Sequence, residues 1–264
     1  MVLKDKVAVI YGAGGAIGAA LARAFATEGA TLFLTGRELA TIEAVAKDIV
    51  SAGGNADAAE VDALNEQAVD RHLESVINKA GRVDISFNAV GITDTNILGV
   101  PLVALDVEQF SRPITTYTRS YFLTARLAAR RMMLNKSGVI MTVTTLHSRT
   151  GFPLVGGYGA AQAAKEALTR DLSAELAPQG IRVVSLRPQA MPESVGSRRR
   201  FYESRATTSG VTWEQFQGRL ASRTHPRRLM TLEEMANVAV FVASDRASGM
   251  TGTIVNLTMG SLDD

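Results

Sequence analysis

The stretch VAVIYGAGGAIGAALARAF, residues 7–25, decides the fold. Val7 to Tyr11 is an apolar run of strand type, glycines follow at 12, 14, 15 and 18, and Ile17, Leu21 and Phe25 then recur every four residues as one face of a helix. A strand that turns through glycines into a helix leaves the amino end of that helix open to a ligand. Gly12, Gly14, Gly15 and Gly18 carry no side chain, so backbone can approach closely, and the free N–H groups and dipole of the helix favour an anion such as a pyrophosphate. Ile17 lies within this turn.

The alternation continues outward from there. Further strand candidates are Thr31 to Thr35, Asp57 to Val61, Ile85 to Ala89, Gly138 to Thr144, Arg182 to Leu186 and Thr253 to Leu257. Segments of helical period separate them, among them Val107 to Met133, the face marked by Leu168 and Leu172, and Leu232 to Ala243. Short apolar strands alternating with helices predict an α/β fold, a doubly wound parallel sheet with most strands covered on both faces. At 264 residues, 46% of them hydrophobic, the chain suits a single domain over 1–264. One long stretch without a clean period, Gln189 to Arg228, follows a strand and reads as a substrate lid, because ligands of open α/β sheets bind outside the carboxyl ends of the strands.

Composition excludes several classes of function. Lysine and arginine total 28 against 26 acidic residues, and a net charge of +2 gives no case for a nucleic-acid or membrane partner. Arg198, Arg199, Arg200, Arg205, Arg219, Arg223, Arg227 and Arg228 crowd one stretch, read as solvated surface in preference to an anion-selective mouth. There is no cysteine, hence no disulfide and no thiol catalysis. His72, His147 and His225 are too scattered to suggest a metal site, and His147 beside Ser148 is an unpromising start for a hydrolase triad. The amino terminus runs straight into a strand pattern without a signal-like apolar region, and the expected location is cytoplasmic.

The glycine spacing is not G-x-G-x-x-G; it approaches T-G-x-x-x-G-x-G, with Tyr11 for the threonine and Ala16 for the middle glycine. EVDALNE carries Asp62, DISFNAVGI carries Asn88 and Gly91, and VTTLHSRTGFPLVGGYGAAQAAKEALTRDLSAELAPQGIRVVSLRP carries a tyrosine at the head of a helix. In these motifs and over nearly its whole length the chain resembles the short-chain dehydrogenase/reductase superfamily. That resemblance implies a Rossmann-type fold with a seven-stranded parallel sheet, a nicotinamide dinucleotide, a small-molecule carbonyl or alcohol substrate, and a homotetramer or homodimer. It places Asp62 against the adenine, Asn88 and Gly91 in the Asn-Asn-Ala-Gly position, and Pro188 beside the nicotinamide, although Gln189 replaces the glycine that usually follows. At the end of the second strand Thr35, Gly36 and Arg37 offer no acid for a ribose 2′-hydroxyl and a base for a 2′-phosphate, which predicts NADP(H) over NAD(H).

The catalytic set departs from the family. The resemblance gives the proton-transferring tyrosine as Tyr158, the carbonyl-binding serine position as Thr145, the lysine position as Gln162 and the asparagine position as Tyr117. Gln162 can bond a ribose but brings no charge, so the usual electrostatic activation of tyrosine is missing. Lys165 lies about two turns, roughly 10.5 Å of rise, beyond Tyr158 and is expected to be a solvated charge. The leading expectation is an NADP(H)-dependent carbonyl reductase or alcohol dehydrogenase; the alternatives are a dinucleotide-binding sensor or inactive subunit without hydride transfer, and a non-redox lyase or isomerase.

Overall fold

The computed structural model describes residues 1–92, 98–194, 203, 206 and 210–263. Strands β1 (Val7–Tyr11), β2 (Thr31–Gly36), β3 (Asn55–Glu60), β4 (Ile85–Asn88), β5 (Gly138–Val143), β6 (Ile181–Pro188) and β7 (Thr253–Leu257) form one parallel sheet in the order β3-β2-β1-β4-β5-β6-β7. Helices α1 (Ala16–Thr27), α2 (Leu39–Ser51), α3 (Glu66–Ala80), α4 (Val107–Asn135), α5 (Tyr158–Leu176), α6 (Trp213–Ala221) and α7 (Leu232–Ala243) connect or follow the strands. The chain moves outward from β1 to β3 and returns to place β4 on the other side of β1, so a crevice opens at the carboxyl ends of those two strands.

The pleat divides the core between two layers. Ala8 and Ile10 turn to the layer holding Leu21 and Phe25 of α1, Ile42 of α2 and Met235 of α7, while Val9 and Tyr11 turn to Leu73 of α3, Tyr121 of α4 and Leu172 of α5. Full burial of each large apolar side chain contributes about 1.5–3 kcal/mol, and both faces of the central strands supply such residues. Tyr11, which stands in the glycine motif's threonine position, is fully buried in the second layer.

Five strand spans differ from the expectation, three of them by one residue at one end, and the two larger differences have a physical reason. β3 begins two residues earlier and ends before Val61, because it is an edge strand with a half-exposed pattern and carries Asp57 in an ion pair with Lys79 at 2.7 Å. β6 continues beyond Leu186 to Pro188, paired in register with Leu257 of β7, and so delivers the Pro188-Gln189 step to the carboxyl edge of the sheet. Helix starts follow side-chain capping: Asp106 accepts from the Gln109 N–H at 2.7 Å before α4, and Thr231 with Glu234 forms a reciprocal box before α7. No described helix is long and apolar enough to cross a membrane.

Candidate active site

The half of the crevice between β1 and β4 is built from backbone. Gly12 leaves β1 at φ +80° with both its own N–H and that of Ala13 bonded to the Thr35 carbonyl at 2.9 Å, which ties the turn to the end of β2. A Cβ on Gly12 would come within 2.7 Å of the Ala89 carbonyl oxygen, so only glycine fits between the ends of β1 and β4. Gly14, Gly15 and Gly18 complete the turn; Gly15 caps α1 without a side-chain bond, and the first turn of that helix holds no acid. Its leading N–H groups have no partners within the helix, and an amino end of this kind favours an anion. Arg37 is exposed just beyond β2, with Glu38 following it as the cap of α2. Asp62 is exposed after β3 and accepts from the Leu64 N–H at 2.9 Å. Asn88 is buried at the end of β4, where its amide donates to Thr124 Oγ1 of α4 at 3.1 Å and its oxygen accepts from the Val90 N–H at 3.4 Å.

The half at the carboxyl end of β5 is built from side chains that follow that strand, of the short turn Leu146–Ser148 and of α5. Thr145 caps that turn, its hydroxyl accepting from the His147 N–H at 3.3 Å. Tyr158 is the first residue of α5, and Gly157 before it allows the helix to come against α4, since any Cβ there would strike the Phe110 carbonyl. The close crossing sets Tyr117 edge-on to Tyr158 at 5.6 Å between ring centroids, and His147 edge-on from the other segment at 5.8 Å. The Tyr117 hydroxyl accepts from the Ile92 N–H at 3.5 Å. Gln162 follows one turn after Tyr158, 2% exposed, and its Oε1 has no hydrogen-bond partner.

Tyr158, Thr145, Gln162, Tyr117, Ile17, Gly91 and Pro188 all line one cavity of about 170 Å³. Gly12, Gly14, Gly15, Gly18, Arg37, Asp62 and Asn88 lie outside that cavity, along the neighbouring strand ends. Phe152, Val155, Met191, Phe216 and Leu220 give its outer wall an apolar surface, with Ser194 and Arg223 at polar positions. Several of these wall residues come from the described part of the 189–228 stretch, where Trp213 stacks on Phe216 at 6.2 Å. Arg198, Arg199, Arg200, Arg205, Phe201 and Tyr202 lie outside the described residues. Arg219, Arg223, Arg227 and Arg228 are exposed; Arg228 is paired with Glu234 at 2.6 Å, and Arg223 sits over the Phe152 ring at 5.3 Å.

The residues present fit a nicotinamide dinucleotide. Two buried acceptors at the cavity, Gln162 Oε1 and Gln189 Oε1, have no protein donor, and hydroxyl or amide groups of such a ligand would satisfy them. The glycine turn offers the bare backbone that a pyrophosphate requires. Among the described residues no cluster of metal-ligating side chains occurs.

Lys165 corrects the expectation of a solvated charge. It is 1% exposed, donates to the Val143 carbonyl of β5 at 2.7 Å, and lies 5.6 and 5.7 Å from the ring centres of Tyr117 and Tyr121. Burial pulls its pKa from the ordinary lysine value down to about 7. The next residue, Glu166, is buried too and gathers the segments around the site. Its carboxylate accepts from Arg187 Nε at 2.8 Å and from the other end of that guanidinium at 2.9 Å, from Thr144 Oγ1 at 3.0 Å and from Ser148 Oγ at 2.5 Å. One carboxylate therefore fixes the residues adjacent to Thr145, Pro188 and Lys165. The Ser148 proton is directed to Glu166, not along a Ser-His relay of the hydrolase kind.

Comparison with known proteins agrees with this geometry. A family profile described as enoyl-(acyl carrier protein) reductase matches residues 12–261. The chain is 29% identical over 262 residues to the 7alpha-hydroxysteroid dehydrogenase of Escherichia coli K12, covering 99% of this chain and 96% of that protein. It is 31% identical over 260 residues to the peroxisomal 2,4-dienoyl-CoA reductase of Rattus norvegicus, covering 98% and 84%. The crystal structure of an NAD+-bound xylitol dehydrogenase superposes with a TM-score of 0.89 at 26% identity, over 98% of this chain and 100% of that one. The chain belongs to the short-chain dehydrogenase/reductase family, and it is an oxidoreductase whose fold binds a nicotinamide cofactor.

Proposed function

We propose that the protein is an NADP(H)-dependent carbonyl reductase or alcohol dehydrogenase in which Tyr158 transfers the substrate proton. The observation that carries this reading is the convergence of Tyr158, Thr145 and Gln162 on one cavity beside Pro188. Held along the glycine turn and at Gln162, a bound nicotinamide dinucleotide would supply the hydride that the carbonyl carbon gains in reduction, or accept the one that the alcohol carbon loses in oxidation. In reduction, the Thr145 hydroxyl donates a hydrogen bond to the carbonyl oxygen, and the Tyr158 hydroxyl gives that oxygen its proton as the C=O π bond opens to an alcohol. In oxidation the proton returns along the same path. Gln162 accepts from a ribose hydroxyl through its unpartnered Oε1, and Tyr117 braces the Tyr158 ring from α4.

The NADP(H) preference rests on Gly36 and Arg37 at the end of β2, where no acid faces the ribose and a guanidinium is available to a 2′-phosphate. The apolar outer wall favours a substrate with a hydrocarbon body rather than a sugar-like one. Cytoplasmic location and assembly as a homotetramer or homodimer complete this reading, on family likeness.

The test is turnover of a panel of ketones and secondary alcohols by wild type and Tyr158→Phe, each loaded with the matching form of the dinucleotide. Loss of the proton donor lowers kcat by at least about a hundredfold while dinucleotide affinity is unchanged. Equal turnover in both proteins would remove Tyr158 from the chemistry and favour a dinucleotide-binding role without hydride transfer.

A further inference from the structure

We propose that Lys165 is a positioning residue, whose ammonium, anchored on the Val143 carbonyl and set against the rings of Tyr117 and Tyr121, supplies from beneath the site the positive charge that Gln162 lacks. Lysine is among the residues least often buried without an acidic partner, and here the anchor is a neutral carbonyl. Such a position costs stability and is unexplained by packing alone. Its amine reaches the Val143 carbonyl at the end of β5 and the ring of Tyr117, which is also the ring set edge-on to Tyr158. The Tyr117 ring is shared by both: the Lys165 amine is 5.6 Å from its centre and the Tyr158 ring centre is 5.6 Å from the same point, so the amine lies no more than about 11 Å from the Tyr158 ring centre. At about 10 Å and an effective dielectric of about 20, a unit charge changes the stability of a neighbouring anion about tenfold. The anion concerned is the one left on the Tyr158 oxygen as its proton moves to a carbonyl. This inference rests on Tyr158 as the proton donor.

The charge is present below about pH 7 and lost above it, because burial lowers the lysine that far. Several other titratable or charged groups lie around Lys165. Tyr117 and Tyr121 come from α4, Tyr158 and Glu166 from its own helix, His147 from the turn after β5, and Arg187 from β6, where it is paired with Glu166. Arg126 and Arg131 of α4 pair instead with Glu66 and Asp70 of α3.

The experiment is nuclear magnetic resonance of the full chain with carbon-13 at the tyrosine phenolic carbons, the Tyr158 resonance being assigned by its loss in Tyr158→Phe. In wild type that resonance shifts with an inflection near pH 7. The inflection survives in His147→Gln and disappears in Lys165→Gln, which keeps a donor for Val143 without the charge. In Lys165→Arg, a second variant should the first not fold, the inflection also disappears because the charge never leaves. In parallel, kcat/KM for reduction falls about tenfold from pH 6 to pH 8 in wild type and is flat in Lys165→Gln. No inflection in wild type, an inflection retained in folded Lys165→Gln, or one abolished by His147→Gln would overturn the proposal. The resonance is read without turnover, so its outcome is separate from that of the Tyr158→Phe kinetics.

Discussion

The two halves of the crevice are made differently. From β1 to β4 the site is backbone: a glycine turn bonded to the Thr35 carbonyl, the free N–H groups of α1, and a gap at Gly12 too narrow for a Cβ. From β5 to β6 it is side chain, and there the charges lie away from the positions the family motif gives them. Neutral Gln162 stands one turn after Tyr158, the buried amine of Lys165 two turns after, and Glu166 grips Arg187, Thr144 and Ser148. A backbone site should tolerate substitutions such as Tyr11 and Ala16, because the groups it offers a ligand are N–H groups rather than those side chains. A side-chain site changes character with each replacement, so the chemistry of the second half follows from its own packing and hydrogen bonds rather than from the motif.

The largest expected effect breaks the second half alone. Glu166→Ala leaves the Arg187 guanidinium buried without its carboxylate, and unfolding in urea should show a loss of about 3–5 kcal/mol. Replacing both partners by methionine should recover most of it. A loss under about 1 kcal/mol for the single variant would mean that the carboxylate does not hold these segments.

The buried lysine gives the next effect, of a few kcal/mol, through pH. Its folded pKa, about 7, lies below the unfolded value, so the stability associated with its neutral form is fully present above the unfolded pKa and is lost as pH falls through about 7. Unfolding free energy should therefore rise between about pH 7 and pH 10, and Lys165→Met should flatten that rise. An unchanged slope in the variant would place the lysine's ionisation elsewhere.

The alternation of strands and helices was legible because both faces of the central sheet are apolar, and the glycine turn because its chemistry is local. β3 was misplaced by two residues since an exposed edge strand carries no strong pattern. The two helical turns between Lys165 and Tyr158 argue for a solvated charge, although that spacing puts the lysine on the face shared by Tyr158, Gln162, Thr169 and Leu172, all of them buried. The grip of Glu166 on Arg187 spans 21 residues and joins a helix to a strand, a contact that helical or strand period does not encode. The apolar wall from Phe152, Met191 and Phe216 likewise comes from three separate segments.

The smallest expected effect sharpens the reading of the first half. Arg37→Ala should weaken NADPH binding about tenfold and leave NADH within about twofold, since only the 2′-phosphate contact is lost. Equal weakening of both would make Arg37 a general contact rather than a selector.

Titration of the wild-type protein with NADPH and NADH, followed by the emission of Trp213, the chain's only tryptophan, tests most directly whether the backbone half still holds a dinucleotide. The account predicts saturable quenching by both, with NADPH bound more tightly. Absence of binding by either would contradict it, and with it every role assigned to Tyr158, Thr145 and Gln162 in hydride transfer.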